Sequence, residues 1–196
     1  MNTPIVLVRG LRKVYWPNVA LDNIDLTIEE PGLYLLLGPN GSGKSTLLSI
    51  LAGAERPSSG LVRVLGLDPW RDSPKLAGRV RALLDRASLP PWLPCLDMVK
   101  TAIEMHGAKW EHVAGLAEEL GVTAYWSRPY GVYSTGMRRK CLLLLAFTGE
   151  AELLLLDEPL QGLDRASTDI VIKTVERKAR EGSTVIVATH IVPETL

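Results

Sequence analysis

The sequence predicts an α/β fold: a parallel-sheet core carrying an N-terminal antiparallel β portion and an inserted α-helical portion. Three observations lead there. Short apolar runs recur at Leu33 to Leu37, Leu153 to Leu156 and Val185 to Ala188, the pattern of strands buried on both faces of a parallel sheet. Nearer the N-terminus the apolar residues alternate, first Ile5 and Leu7 and then Ile24, Leu26 and Ile28, as half-exposed antiparallel strands do. Between about 85 and 149 the apolar spacing is helical and no strand pattern stands out.

Taken in order, the elements justify themselves. Pro31-Gly32 starts the run Leu33 to Leu37, and a helical stripe of Leu47, Leu48, Leu51 and Ala52 follows, closed by Gly53 where a left-handed residue ends a helix. The helical stretch holds three patterns: one beginning after Asp97 as N-cap, one over about Trp110 to Leu120, and one from Gly136 to Phe147. Next come the run Leu153 to Leu156, a helix carrying Val171, Val175 and Ala179 closed by Gly182, and the run Val185 to Ala188. Strand, helix, strand in that order is a right-handed crossover unit of a parallel sheet.

With 196 residues the chain is expected to be a single domain. Its core and β portion would take about 1–84 and 150–196, and its helical portion about 85–149. A chain of this size buries roughly 70% of its unfolded surface and needs no disulfide or metal to hold a core. Lys and Arg number 22 against 22 Asp and Glu, a balance that argues against coating nucleic acid or an anionic bilayer by bulk charge. Cys95 and Cys141 stand far apart in apolar surroundings and read as reduced core thiols of a reducing compartment. Neither a membrane-spanning run nor a secretory leader is visible, which points to the cytosol.

The chemistry starts at Gly38-Pro39-Asn40-Gly41-Ser42-Gly43-Lys44-Ser45-Thr46. This segment fits GxxxxGK[ST] and sits between an apolar strand and a helix, the context a phosphate-binding loop requires. Its glycines let successive backbone N–H groups turn inward onto phosphate oxygens, helped by the helix dipole. Lys44 adds a positive charge for the β and γ phosphates, and Ser45 offers a hydroxyl to Mg²⁺. Asp157 and Glu158 end the run Leu153 to Leu156, at the strand edge where open α/β sheets bind ligands. Asp157 is expected in the Mg²⁺ shell, and Glu158 beside the γ-phosphate, where it would orient or deprotonate water.

Phosphate loop, then Tyr133-Ser134-Thr135-Gly136-Met137, then LLLLDEP, then Gly162-Leu163-Asp164, then His190 after VIVAT: this order resembles the ATP-binding subunit of ABC transporters, over almost the whole chain. The resemblance implies a P-loop NTPase core and an ATP-dependent dimer in which two such subunits, as a homodimer or with a related partner, sandwich ATP and Mg²⁺. It implies that Ser134, Thr135 and Gly136, which depart from the usual LSGGQ by Thr135 and Met137, receive the γ-phosphate of the partner's nucleotide. The STGM variant is similar to cassettes of ABC-2 type exporters. The resemblance also makes His190 the γ-phosphate switch, Tyr15 the adenine-stacking aromatic with Trp16 adjacent, and Asp85 an occupant of the usual glutamine position near Mg²⁺.

Arg138, Arg139 and Lys140 follow the signature in the first turns of the expected helix, where cations oppose the dipole. They read as solvated, or as compensated by acids such as Glu150 and Glu152. The proline-stiffened segment Ser88 to Pro94 would, by the same resemblance, dock a membrane-spanning transporter subunit, leaving the protein peripheral at the cytoplasmic face. Nucleic acid is not expected as a partner. Non-transport members of the family with long coiled-coil inserts need far more chain between Gly43 and Ser134, and translation-type members need two cassettes. A weakly hydrolysing nucleotide switch is a further alternative, motivated by Asp85 and by a chain that ends soon after His190.

Overall fold

A computed structural model of the chain describes residues 3–84 and 89–190. It opens with β1 (Val6–Tyr15) and β2 (Asn18–Ile28), followed by β3 (Leu33–Leu37), α1 (Lys44–Leu51), β4 (Ser59–Val64), the short α2 (Ser73–Leu76) and β5 (Val80–Leu83). The helical stretch then supplies α3 (Cys95–His106), α4 (Trp110–Glu119) and α5 (Thr135–Phe147). The chain returns through β6 (Leu153–Asp157), α6 (Arg165–Arg180) and β7 (Thr184–Thr189). Two sheets result: an antiparallel one in the order β2-β1-β4 and a parallel one in the order β3-β7-β6-β5.

The central strands explain why the apolar runs lack alternation. Leu153 and Leu155 of β6, with Ile186 and Ala188 of β7, face a core shared with α1 and the antiparallel sheet. Leu154 and Leu156, with Val185 and Val187, face the opposite way into a core shared with α3 to α6. Successive strand side chains point to opposite faces, and here each face is covered. Every residue of β6 and β7 is buried.

Several expectations need correction. Leu33 to Leu37 is not buried on both faces: β3 is the edge of the parallel sheet, its residues are half-buried, and Leu37 is exposed. An apolar run alone does not distinguish a central strand from an edge one. β4, which the sequence reading missed, pairs antiparallel with β1, and its SGLVRV pattern is short enough to pass for a loop. Asp97 is not a cap, because Pro94 occupies that position and Asp97 is the third helical residue. There a carboxylate favours the positive end of the helix dipole instead.

Cys95 and Cys141 are not separate thiols. They form a disulfide with Cα atoms 6.2 Å apart, because α3 packs on α5 and presents its first residue to the middle of the other helix. Cysteine usage therefore no longer argues for a reducing compartment. No helix among the described residues is long and apolar enough to cross a membrane.

Leu155 joins the two layers most directly, being fully buried between α1 and the parallel sheet. Leu155→Ala is expected to cost about 2–5 kcal/mol, read as a lower denaturant midpoint at unchanged slope. A loss below about 1 kcal/mol would mean that this layer collapses around the cavity.

Candidate active site

Sheet register assembles the site. In β3 and β7, Leu37 lies opposite Thr189, and in β6 and β7, Asp157 lies opposite Ala188. Three adjacent strands thus end at one edge, and the residues that follow them are Gly38, His190 and Glu158. Neighbouring strands lie about 4.8 Å apart, so β3 and β6, two strands apart, bring the Gly-rich loop and the acidic pair to within about 10 Å.

The loop after β3 is shaped by close approach. Gly43 has φ 92°, and a Cβ there would meet the Ala20 carbonyl and the Leu21 side chain, each at 2.6 Å. At Gly38 a Cβ would lie 2.9 Å from Ser42 Oγ. No side chain caps α1, and no acidic residue occupies its first turn. The orphan N–H groups and the dipole there suit an anion. Lys44 is buried, and its ammonium donates to the carbonyls of Gly38 at 2.6 Å and Pro39 at 3.0 Å. It lies across the loop it belongs to. Ser45 is exposed beside it, at the second position of α1.

Asp157 is 1% exposed, and neither carboxylate oxygen has a hydrogen-bond partner. Burying an unpaired carboxylate is costly, so these two oxygens form a site for a cation. No cluster of three His, Cys, Asp or Glu exists among the described residues. Mg²⁺ nevertheless fits, because it keeps several waters and needs only one or two protein oxygens beside substrate phosphates. Asp157, buried without a partner, and Ser45, exposed at the start of α1, are the two residues here that could supply such oxygens.

Glu158 departs from strand geometry with φ 45°, a left-handed conformation that non-glycine residues seldom adopt. Its amide still donates to the Ala188 carbonyl at 2.9 Å. The turn directs its carboxylate toward the end of β7, where Oε1 lies 2.9 Å from His190 Nδ1 and Oε2 accepts from Thr189 Oγ1 at 3.2 Å. Both oxygens are held, and each keeps a lone pair for a further donor. Sequence reading had found Glu158 and His190 separately. It had missed Thr189, whose only signal was its place just before His190.

Tyr15 ends β1 half-exposed, with its hydroxyl bonded to Glu55 and Lys13 Nζ 4.8 Å from its ring centre. Trp16 is 92% exposed. The hairpin they occupy returns through β2, whose Ala20 abuts Gly43, so these rings stand on the strand pair that borders the phosphate loop.

The signature residues lie elsewhere. Ser134 caps α5, its Oγ accepting from Met137 N at 3.3 Å, and Ser134 and Thr135 are exposed. α5 packs on α3, α4 and β5, whereas α1 packs on β6, β2, β4 and β7. Within one chain the two motifs are therefore in different neighbourhoods. Asp85 lies outside the described residues, as does Ser88. Of the proline-stiffened segment, Trp92 is 74% exposed while Leu93 packs against the core.

The three cations after the signature are not compensated by Glu150 or Glu152; the latter pairs with Arg79 at 2.6 Å. Arg138 donates to the Gly131 carbonyl at 2.9 Å, and Lys140 pairs with Asp164 at 2.8 Å. That ammonium, with the Ser167 amide, holds the Asp164 carboxyl well below the usual carboxylate range. Arg139 donates to the carbonyls of Asp157 and Glu158, a contact between elements that sequence spacing does not reveal. A cavity of about 850 Å³ opens at the opposite edge of the sheet, near Arg79, His106 and Lys178, and none of the expected site residues lines it.

The family model described as "ABC transporter" matches residues 21–161. The lantibiotic transport ATP-binding protein SrtF of Streptococcus pyogenes is 28% identical over 95% of this chain and 80% of its own length. The hemin import ATP-binding protein HmuV of Streptomyces coelicolor is 34% identical over 92% of this chain and 67% of its own. A solved structure titled as the ATP-binding subunit of an ABC transporter superposes with a TM-score of 0.84 at 21% identity, over 95% of this chain and 80% of that one, a likeness of fold. Family match and relatives together establish that the chain belongs to the ABC transporter family, as an ATP-binding subunit.

Proposed function

We propose that the chain binds Mg²⁺ and ATP at the edge formed by Gly38–Thr46, Asp157, Glu158 and His190, and hydrolyses the γ-phosphate bond. The buried Asp157 carboxylate without a protein partner carries this reading. In the mechanism the backbone N–H groups from Gly38 to Thr46 hold the phosphate chain. Lys44 exchanges its loop carbonyls for β and γ oxygens. Asp157 and Ser45 hold Mg²⁺, which when bound neutralises charge on the phosphates. Glu158 takes the proton from the attacking water, and His190 and Thr189 fix its carboxylate for that task.

Turnover in this reading needs a second subunit. Exposed Ser134 and Thr135 with Gly136 open the 13-residue helix α5 away from the chain's own phosphate loop, which favours a nucleotide held between two chains. Tyr15 would stack on adenine once the ring is clear of Glu55. Exposed Trp92 beside Pro91 favours contact of this face with a membrane-spanning subunit, which would put the protein at the cytoplasmic face of the membrane. Closure of the dimer on ATP and reopening after hydrolysis would then drive transport.

Glu158→Gln should retain ATP binding and lower kcat by about 10²- to 10⁴-fold, the usual worth of a general base, with an ATP-bound dimer accumulating on size-exclusion chromatography. Wild-type turnover in that variant would remove Glu158 from the role of base.

For Lys44→Ala, calorimetry should show ATP binding weakened about 10- to 100-fold, corresponding to the loss of charge-assisted bonds worth 1.5–3 kcal/mol. Equal affinity would count against the phosphate loop.

Asp157→Asn separates function from stability. Removing an uncompensated buried charge is expected to stabilise the nucleotide-free protein by about 1–3 kcal/mol, while the additional thermal shift from Mg²⁺ with ATP over ATP alone disappears. A destabilised variant that keeps the Mg²⁺ shift would overturn the assignment.

A further inference from the structure

The first turns of α5 grip the segment that follows β6 at three places. Gly136 lies against the Gly162 carbonyl, where a Cβ would approach to 3.1 Å. Lys140 pairs with Asp164 at 2.8 Å. Between these, the Arg139 guanidinium donates to the carbonyl oxygens of both Asp157 and Glu158. In an extended strand, consecutive carbonyls point to opposite sides, so one guanidinium nitrogen could not reach two in a row. The left-handed turn at Glu158, φ 45°, swings the second carbonyl to the side of the first. Arg139 therefore binds the conformation that aims the Glu158 carboxylate at His190 and Thr189, and not the extended alternative.

We propose that Arg139 is a positioning residue for Glu158: its guanidinium holds the left-handed backbone at the end of β6 and so fixes the carboxylate that activates water. Three facts support it. A non-glycine residue at positive φ persists only when its surroundings over-determine it. The Glu158 amide also donates to the Ala188 carbonyl at 2.9 Å and the Gln161 amide to the Glu158 carbonyl at 3.1 Å, so the turn is held from the β7 side and from the segment that follows it as well as by Arg139. Arg139 also stands near the helix start, where the dipole disfavours a cation, and two carbonyl oxygens are among the acceptors it meets there. Arg139 is not a catalytic residue, for it touches backbone and not the reacting atoms.

This inference rests on the hydrolytic reading above, and its test keeps the two apart. Arg139→Gln and Arg139→Lys are compared with the full wild-type chain for kcat, KM for ATP and backbone hydrogen exchange across residues 157–161. Displacing a base by about 1 Å costs on the order of 10²-fold. Arg139→Gln should therefore lower kcat by about 10- to 100-fold with KM changed less than about twofold and faster exchange at the Glu158 and Gln161 amides. Arg139→Lys, which keeps a cation able to bond carbonyls, should recover part of kcat and part of the protection. An unchanged kcat, unchanged exchange, or a kcat loss matched by an equal loss of folded protein would overturn the proposal. Should the wild type fail to turn over while binding ATP, the hydrolytic reading fails instead, and exchange at residues 157–161 decides by itself whether Arg139 holds the turn.

Discussion

Everything chemical in this protein depends on the in-register termination of three parallel strands. Leu37, Thr189 and Asp157 end β3, β7 and β6 at one edge, and a slip of one residue would reverse every side chain in a strand. The slip is forbidden by burial on both faces. Leu153 and Leu155 belong to one core and Leu154 and Leu156 to the other, so a shifted β6 would still be apolar but would misfit two packed layers at once. Double burial thus acts as a register lock on β6 and β7, bringing the acidic pair and His190 to a common place, beside which the half-buried β3 ends at the phosphate loop.

The same edge shows what function withholds from stability. Asp157 is buried without a partner, Glu158 is held in a left-handed turn, and the N-terminus of α1 lacks a side-chain cap. A sequence selected only for folding would remove all three. A cation at Asp157 and an anion at α1 would offset each other's deficits, which is the physical sense in which the proposed Mg²⁺ and triphosphate would complete the fold. Charge neutrality of the whole chain fits this arrangement, because the anion is met by local dipoles and one ammonium rather than by a basic surface.

Legibility in the sequence followed the range of each interaction. Local rules single out the strands other than β4 and β5, the helices of the stretch before β6, the phosphate-loop motif and Glu158, while the resemblance singles out His190. Edge position was invisible, since Leu33 to Leu37 is as apolar as Leu153 to Leu156 but among the described residues pairs on one side only, with β7. Long-range pairings were equally hidden. The Cys95–Cys141 bond spans 46 residues, and Arg139 was read against acids near in sequence although its partners are backbone carbonyls on another element. Backbone acceptors leave no trace in residue type, so no spacing rule could have found that contact.

α5 consequently has two ends of one task. Its N-terminus exposes Ser134 and Thr135 to whatever lies outside the chain, and its next turn holds the backbone of Asp157 and Glu158 through Arg139. The helix is packed into the core through Cys141, Leu143, Leu144 and Phe147, so its tip and its Arg139 turn share one anchoring. A ligand that drew the tip would act on the side-chain-to-backbone bonds by which Arg139 holds Glu158. Two sites that lie in different neighbourhoods of one chain are in this way joined by a rigid element with a binding face at one end and a positioning residue one turn later. Coupling between them would further require two states of this element that the two ends bind differently.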